Sequence, residues 1–262
     1  MEAANTILVV EGLHDLEVMA RLLGCLEFKR LSPPKDVAPP EWNNIADASF
    51  HKAGDPEKRL PLPVFFRCNS GRIAVVTTAK GVANIAPRLA RILKPLAFFP
   101  DSVGIVLDAD RDNPISQHLR ILEHLRGEFK ARNVTVQFPG CPGIVENYGN
   151  IRTGVFIAPD NAAEGTMEDI LLQGADIVYR HQLSHAWAFI DGYPKAGLTD
   201  DEVRCLEKGS NRKKAVVHAL AACLRPGRAI QVSIKDNRWL EGAALQQPLV
   251  KGLLEFLRAL IN

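Results

Sequence analysis

Two acidic clusters in this chain each follow a short apolar run. Glu11-Gly12-Leu13-His14-Asp15 follows residues 7–10 (ILVV), and Asp108-Ala109-Asp110-Arg111-Asp112 follows residues 103–107 (VGIVL). Carboxylates brought together from such distant positions repel one another unless a cation neutralises them. An all-oxygen donor set suits a hard ion, Mg²⁺ with Mn²⁺ as substitute. Glu11 leaves a strand end, Gly12 permits a sharp turn, and Asp15 falls in the first helical turn, where it either turns to the same side as Glu11 or simply complements the helix N-terminus. In the second cluster alternate side chains beyond a strand point the same way, so Asp108, Asp110 and Asp112 are candidate ligands. The competing readings are an acidic turn and an EF-hand loop, but Asn113 stands where that loop needs Gly and Leu119 where it needs Glu.

A third group is Pro159-Asp160-Asn161 followed by Glu164-Gly165-Thr166-Met167-Glu168-Asp169. Thr166 with Asp169 fits a helix cap, which leaves Asp160 and Glu168 as candidates for a further acidic site. Lys80-Gly81-Val82-Ala83-Asn84 joins a strand to a helix. Free N–H groups there, around Gly81 and Asn84, could take a phosphate, although an ordinary βα turn has the same appearance. His14, between two acids, could hydrogen-bond a phosphate. His181 and His185 have no third ligand and read as structural or surface residues. Cys141 has no partner for nucleophilic chemistry, and no P-loop, dinucleotide fingerprint or G-x-S-x-G elbow is present.

These residues need a scaffold that brings distant strand ends together. Continuous apolar runs at 6–10 and 103–107 read as buried parallel strands, and ligands of open α/β sheets bind beyond the carboxyl ends of their strands. A strand pair is expected near 64–68 and 72–78 across Asn69-Ser70-Gly71, with further strands at 133–137 and 151–158. Apolar periodicity predicts helices at 13–24, 82–94, 114–131, 166–190, 199–207, 211–224 and 247–261. Residues 31–63 hold seven of the seventeen prolines and read as an irregular surface insertion. The expectation is an α/β domain over 1–175, a Rossmann-like parallel sheet with helices on both faces, and a helical C-terminal region over 176–262 packed on it.

Five cysteines without a C-x-x-C pair suggest reduced thiols and a cytoplasmic chain. The N-terminus lacks a signal-peptide pattern, and no apolar run approaches the roughly 20 residues of a spanning helix. Net charge is +2 but unevenly distributed: residues 203–262 carry eleven Lys/Arg against four Asp/Glu, a net +7, leaving −5 for the rest. Asn211 would cap a helix with Arg212, Lys213 and Lys214 in its first turn, where cations are disfavoured without an anion nearby. That makes the three candidate phosphate-binding residues, against the simpler reading of a solvated face.

The residues 10–12 (VEG) with Asp15, and 107–110 (LDAD), resemble the toprim domain shared by topoisomerases, bacterial primases and nucleases of the overcoming-lysogenization-defect type. The likeness covers roughly residues 6–172 and is nearer to small stand-alone toprim-related proteins of unassigned function, which have a similar Pro-Asp-Asn segment followed by Glu-Asp at a helix start. Haloacid-dehalogenase-type phosphatases also place D-x-D after a strand, but after the first strand, where this chain has Glu11. The toprim resemblance implies that Asp108 and Asp110 bind Mg²⁺ and that Glu11 is a general acid/base or further ligand. Those nucleases also use a lysine beyond the acidic cluster, for which Lys208, Lys213 and Lys214 are candidates. They have an ATPase domain that this chain lacks, so a separate partner ATPase or a homo-oligomer is an expectation. The expected function is Mg²⁺-dependent phosphodiester hydrolysis on nucleic acid. The alternatives are a non-catalytic nucleic-acid- or partner-binding module with a structural divalent metal, and an inert receiver-like domain, whose late strand-end lysine is missing.

Overall fold

The computed structural model describes residues 5–31, 63–94 and 100–262. The proline-rich stretch 31–63 expected as an insertion lies, but for its two end residues, outside the described residues. Among the described residues seven strands form one mixed sheet: β1 (Asn5–Val10), β2 (Lys29–Arg30), β3 (Val64–Arg67), β4 (Ile73–Thr78), β5 (Ser102–Asp108), β6 (Val145–Tyr148) and β7 (Ile151–Ala158). Their order across the sheet is β2-β3-β4-β1-β5-β7-β6. The central four are parallel, while β2, β3 and β6 are antiparallel additions at the two edges. The expected α/β architecture is therefore present, with a parallel centre and antiparallel margins.

Nine α-helices are described: α1 (Leu13–Cys25), α2 (Ile85–Leu93), α3 (Pro114–Arg132), α4 (Met167–Val178), α5 (Arg180–Asp191), α6 (Asp200–Glu207), α7 (Gly209–Leu224), α8 (Ile230–Asp236) and α9 (Pro248–Ile261). Alternation along β1 assigns them to faces. Ile7 and Val9 join Ile85, Leu89, Leu125 and Phe129 of α2 and α3 in one apolar layer. Leu8 and Val10 join α1 and the C-terminal helices in the other, including Trp239, Leu257 and Leu260. Gly104 in β5 permits the close approach of α9, because a Cβ there would lie 2.4 Å from a methyl of Leu260.

The chain enters at the central strand, places β2 at the far edge, returns inward through β3 to β4, then crosses over β1 to β5, with α1 and α2 on opposite faces. This reversal at β1 makes the carboxyl edge of β1 and β5 a crevice, the usual ligand position in such sheets.

Three expectations need correction. Residues 133–137 form no strand; Val134 and Val136 pack on the α2/α3 layer, while the β7 edge is taken by β6 through a tight Gly149-Asn150 turn with Gly149 at φ 64°. The helix expected at 166–190 breaks at Tyr179, whose hydroxyl accepts the Arg238 N–H at 2.7 Å. Helix α8, unanticipated, follows the Pro226-Gly227 turn.

Candidate functional site

Register brings the two clusters together. Val10 pairs with Val106 and Asp108 with Ala158, so Glu11, Asp108 and the 159–169 segment lie at adjoining strand ends. The Gly81 N–H donates to the Glu11 carbonyl at 3.2 Å, tying the β4 turn to the same edge. Beyond β5 the Ala109 N–H donates to the Ala158 carbonyl and the Asp110 N–H to the Gly165 carbonyl, at 3.0 and 2.8 Å. These bonds hold Asp110 at φ 55°, a left-handed conformation that Asp tolerates better than most residues and that is common at functional sites.

Burial separates the acids. Asp15, Asp108 and Glu168 are buried, at 7, 8 and 4 % exposure, whereas Glu11 is half-buried and Asp110 exposed. Asp15 accepts the Gly12 N–H at 2.7 Å, so it does serve the start of α1, but it does so inside the acidic group. Asp108 accepts the Met167 N–H at 2.8 Å, placing a carboxylate against the positive end of α4. Its carbonyl receives Gln117 Nε2 at 3.4 Å. Glu168 Oε2 is buried with no hydrogen-bond partner; the other oxygen, Oε1, stands 4.0 Å from His14 Nδ1, an ion-pair separation longer than a hydrogen bond.

The electrostatics follow. Burial first, then the Glu168 charge, pushes Asp15 up to about 6 from an ordinary 3.8. Burial first, then Asp15, Glu168 and Glu11, pushes Asp108 well above the ordinary range. Glu11 is raised by burial, with Asp15 and Asp110 adding to it. Burial also pushes Glu168 upward, but His14, Lys214 and Thr166 outweigh it and hold the carboxyl below its usual value. Glu168 is thus the buried acid that keeps its charge most readily.

Lys214 of α7 is the cation facing the group. Burial lowers its affinity for a proton, but Glu168, Asp108, Asp110 and Glu11 together outweigh this and raise it. One turn further, the His218 ring meets the His14 ring edge-on, centroids 5.5 Å apart. The sequence marked Lys214 as part of the basic run 212–214 and as one of three candidate lysines, and missed His218; their four-residue spacing on one helix was the available signal.

Other candidates are elsewhere. Asp112 pairs with Arg120 at 2.8 Å and is exposed, so it is no ligand of this group. Asp160 is an exposed turn residue accepting the Ala162 and Ala163 N–H groups. Asn84 donates to the Lys80 carbonyl, closing an ordinary turn. Arg212 and Lys213 are not a free basic run: Arg212 bonds Asp191 at 2.8 Å, and Lys213 bonds Asp169 at 2.5 Å. Helix α7 begins at Gly209, which moves all three cations out of the first turn. Asp169 also accepts the Thr166 N–H at 2.9 Å, the expected cap. Among the described residues no three His, Cys, Asp or Glu side chains form a ready metal cage, consistent with oxygens of Asp15 and Asp108 being engaged by backbone N–H groups.

A family described as protein of unknown function (DUF3226) matches residues 5–262. A hypothetical protein from Pyrococcus horikoshii OT3, known from its crystal structure, shares the fold, with a TM-score of 0.52 and 16% identity over 98% of this chain and 95% of that one. No curated protein matches the sequence significantly.

Proposed function

We propose that this chain, which belongs to the DUF3226 family of proteins of unknown function, is a divalent-metal-dependent phosphodiester hydrolase of the toprim type that acts on nucleic acid. The observation that carries the reading is the unpartnered, buried oxygen of Glu168 among acids whose carboxyls are forced upward by burial and mutual repulsion. Such a donor set, all oxygen and beyond the strand ends, fits Mg²⁺ or Mn²⁺. Glu11, Asp108 and Asp110 would hold the ion, with Glu168 and Asp15 behind them. A bound divalent ion supplies charge neutralisation and an acidified water.

The remaining chemistry belongs to the chain's own groups. Glu11 is half-buried at the end of β1, where a carboxylate oxygen not engaged by the ion could accept a proton from an attacking water. Lys214 presents a full positive charge to a phosphate entering the crevice. The Met167 N–H bond fixes Asp108 so that it does not swing when charge develops.

Cleavage of single-stranded DNA, duplex DNA and RNA with Mn²⁺ or Mg²⁺ tests the reading. Wild type should cleave at least one of them, and Glu11→Gln should lower the rate by about 10²-fold or more with an unchanged circular dichroism spectrum. Retained cleavage in Glu11→Gln, or equal calorimetric metal binding by wild type and the Asp108→Ala/Asp110→Ala variant, would sink it. The second reading, a binding module with a structural metal, is favoured by the backbone bonds that already occupy Asp15 and Asp108; it predicts metal binding without cleavage of any substrate.

A further inference from the structure

Two imidazoles stand beside the buried carboxyl of Glu168. His14 Nδ1 is 4.0 Å from Oε1, too far for a hydrogen bond. The His218 ring meets the His14 ring with centroids 5.5 Å apart and planes inclined at 64°. Each of the three residues comes from a different element. His14 and Glu168 are the second residues of α1 and α4, and His218 lies on α7, one turn beyond Lys214. Glu168 Oε2 is buried without any hydrogen-bond partner, and a carboxylate oxygen left bare in the interior is costly. Asp15 and Asp108, by contrast, are engaged by the Gly12 and Met167 N–H groups.

We propose that Glu168, His14 and His218 form a separate site for a transition ion of the Zn²⁺ class, a site that goes beyond the hydrolase reading and does not rest on it. Two imidazoles on one tetrahedral ion, with metal–nitrogen bonds of about 2.0–2.1 Å, hold their ring centres roughly 5 Å apart. A carboxylate oxygen and a ring nitrogen on the same ion stand roughly 3.3 Å apart. The two rings are close to the first spacing, and a small swing of His14 reaches the second. Among the described residues the three donors have not closed on one point. Both rings have room to do so, because His218 is exposed and the His14 side chain is 28 % exposed. An ion bonds oxygen at about 2.0–2.2 Å, inside the roughly 2.5–3.0 Å of a hydrogen bond from water, so it can seat on an oxygen closed to solvent. Imidazole suits Zn²⁺, whereas Mg²⁺ takes oxygen, so this site and the acidic crevice select different ions. Lys214 is the competing cation. Glu168 attracts its ammonium most, but Asp108, Asp110 and Glu11 do so too, and an ion at Glu168 leaves it to those three. Two imidazoles and one carboxylate leave the fourth position to water on the exposed side, the pattern of zinc ions that act on substrates.

Visible absorption of Co²⁺ added to the full chain, with Mg²⁺ in large excess, tests this without any need for turnover. Wild type should develop the intense bands of a four-coordinate ion, saturating at one equivalent and bleached by Zn²⁺. His14→Ala, His218→Ala and Glu168→Gln should each weaken Co²⁺ binding by about 10²-fold or more, the upper end of what losing only an outer partner costs. His218 is exposed, so His218→Ala should melt in EDTA like wild type, and loss of the ion there is not loss of the fold. Asp108→Ala/Asp110→Ala should keep the bands, and so should His181→Ala/His185→Ala on the surface of α5. No bands in wild type, or bands that survive in His14→Ala/His218→Ala, overturn the site. So do bands lost in Asp108→Ala/Asp110→Ala, which would put the ion in the acidic crevice. Bands lost in His181→Ala/His185→Ala overturn it as well, as does the near-ultraviolet charge-transfer absorption of a cysteine ligand. Absence of nucleic-acid cleavage retires the hydrolase reading and leaves these bands as they are.

Discussion

Asp108 shows how one side chain can serve the fold and oppose it. Its Oδ1 terminates α4 through the Met167 N–H, while its charge is pressed against Asp15, Glu168 and Glu11. Asp108→Asn keeps an oxygen acceptor and removes the charge. The variant should therefore melt higher than wild type in EDTA, by the equivalent of about 1 kcal/mol, and lose the stabilisation by Mg²⁺ that wild type shows. A lower melting point in EDTA would mean that repulsion is not what burdens this site. Lys214 makes the converse case. Its ammonium is held protonated by four acids, so its contribution is fully present below the ordinary lysine value and is lost only as pH rises through the still higher folded value. Lys214→Met should then cost on the order of 2 kcal/mol in EDTA at pH 7, less at pH 5 as the carboxyls take up protons, and divalent metal should recover most of it. Equal thermal melts of both proteins at pH 7 would remove Lys214 from the acidic group.

Elements decide which residues meet, and they were unevenly legible. The strands 6–10, 103–107 and 151–158 were readable because a buried parallel strand is an unbroken apolar run, and the 64–68/72–78 hairpin because its turn residues mark it. With those strands came the meeting of Glu11 and Asp108. The strand β6 was not readable: residues 145–148 (VENY) alternate weakly, and pairing with β7 rather than propensity makes them a strand. The more apolar 133–137 satisfied its side chains against α3 instead. The pairing of the basic run 212–214 was not readable because its partners, Asp169, Asp191 and the acidic crevice, are remote in sequence. Close packing of the C-terminal helices was equally hidden. Gly174 in α4 lies so near the Trp239 carbonyl that an added Cβ would come within 2.4 Å of it. Gly174→Ala gains about 1 kcal/mol of helix propensity but must displace backbone, at roughly 1–3 kcal/mol or more. Net destabilisation should appear as a lower denaturation midpoint at unchanged m-value, and a more stable variant would show that this contact yields freely.

Across the whole molecule, the charge asymmetry is resolved internally. The segment with net +7 folds back so that Lys213 and Lys214 of α7 neutralise acids of the sheet edge, and Arg212 one of α5. No described helix is long and apolar enough to cross a membrane. What remains is an excess of buried negative charge at the carboxyl edge, and this gives the fold a pH-dependent contribution of its own. Asp15 is raised to about 6 from 3.8, and Asp108 and Glu11 are raised as well. For an acid whose folded value is raised, the folded chain binds more protons than the unfolded chain between the two values, so stability grows as pH falls through that window. Glu168, held below its usual value, works the other way, but only below about pH 4.5, outside most of that range. In EDTA the melting temperature of wild type should therefore rise relative to that of Asp15→Asn/Asp108→Asn as pH is lowered from 7.5 to 5, by the equivalent of about 1–3 kcal/mol, a comparison that sets aside the opposite contribution of His118 and His218, both held below the usual histidine value chiefly by burial. Mg²⁺ at a hundred times its dissociation constant should add about 2.7 kcal/mol at pH 7.5 and much less at pH 5, because protons and metal compete for the same oxygens. Differential scanning calorimetry across that pH range, with EDTA and with Mg²⁺, measures both slopes. A wild-type melting temperature that gains nothing on that of the double variant toward pH 5 in EDTA would show that these carboxyls are ionised without strain and that no cation is needed to hold them together.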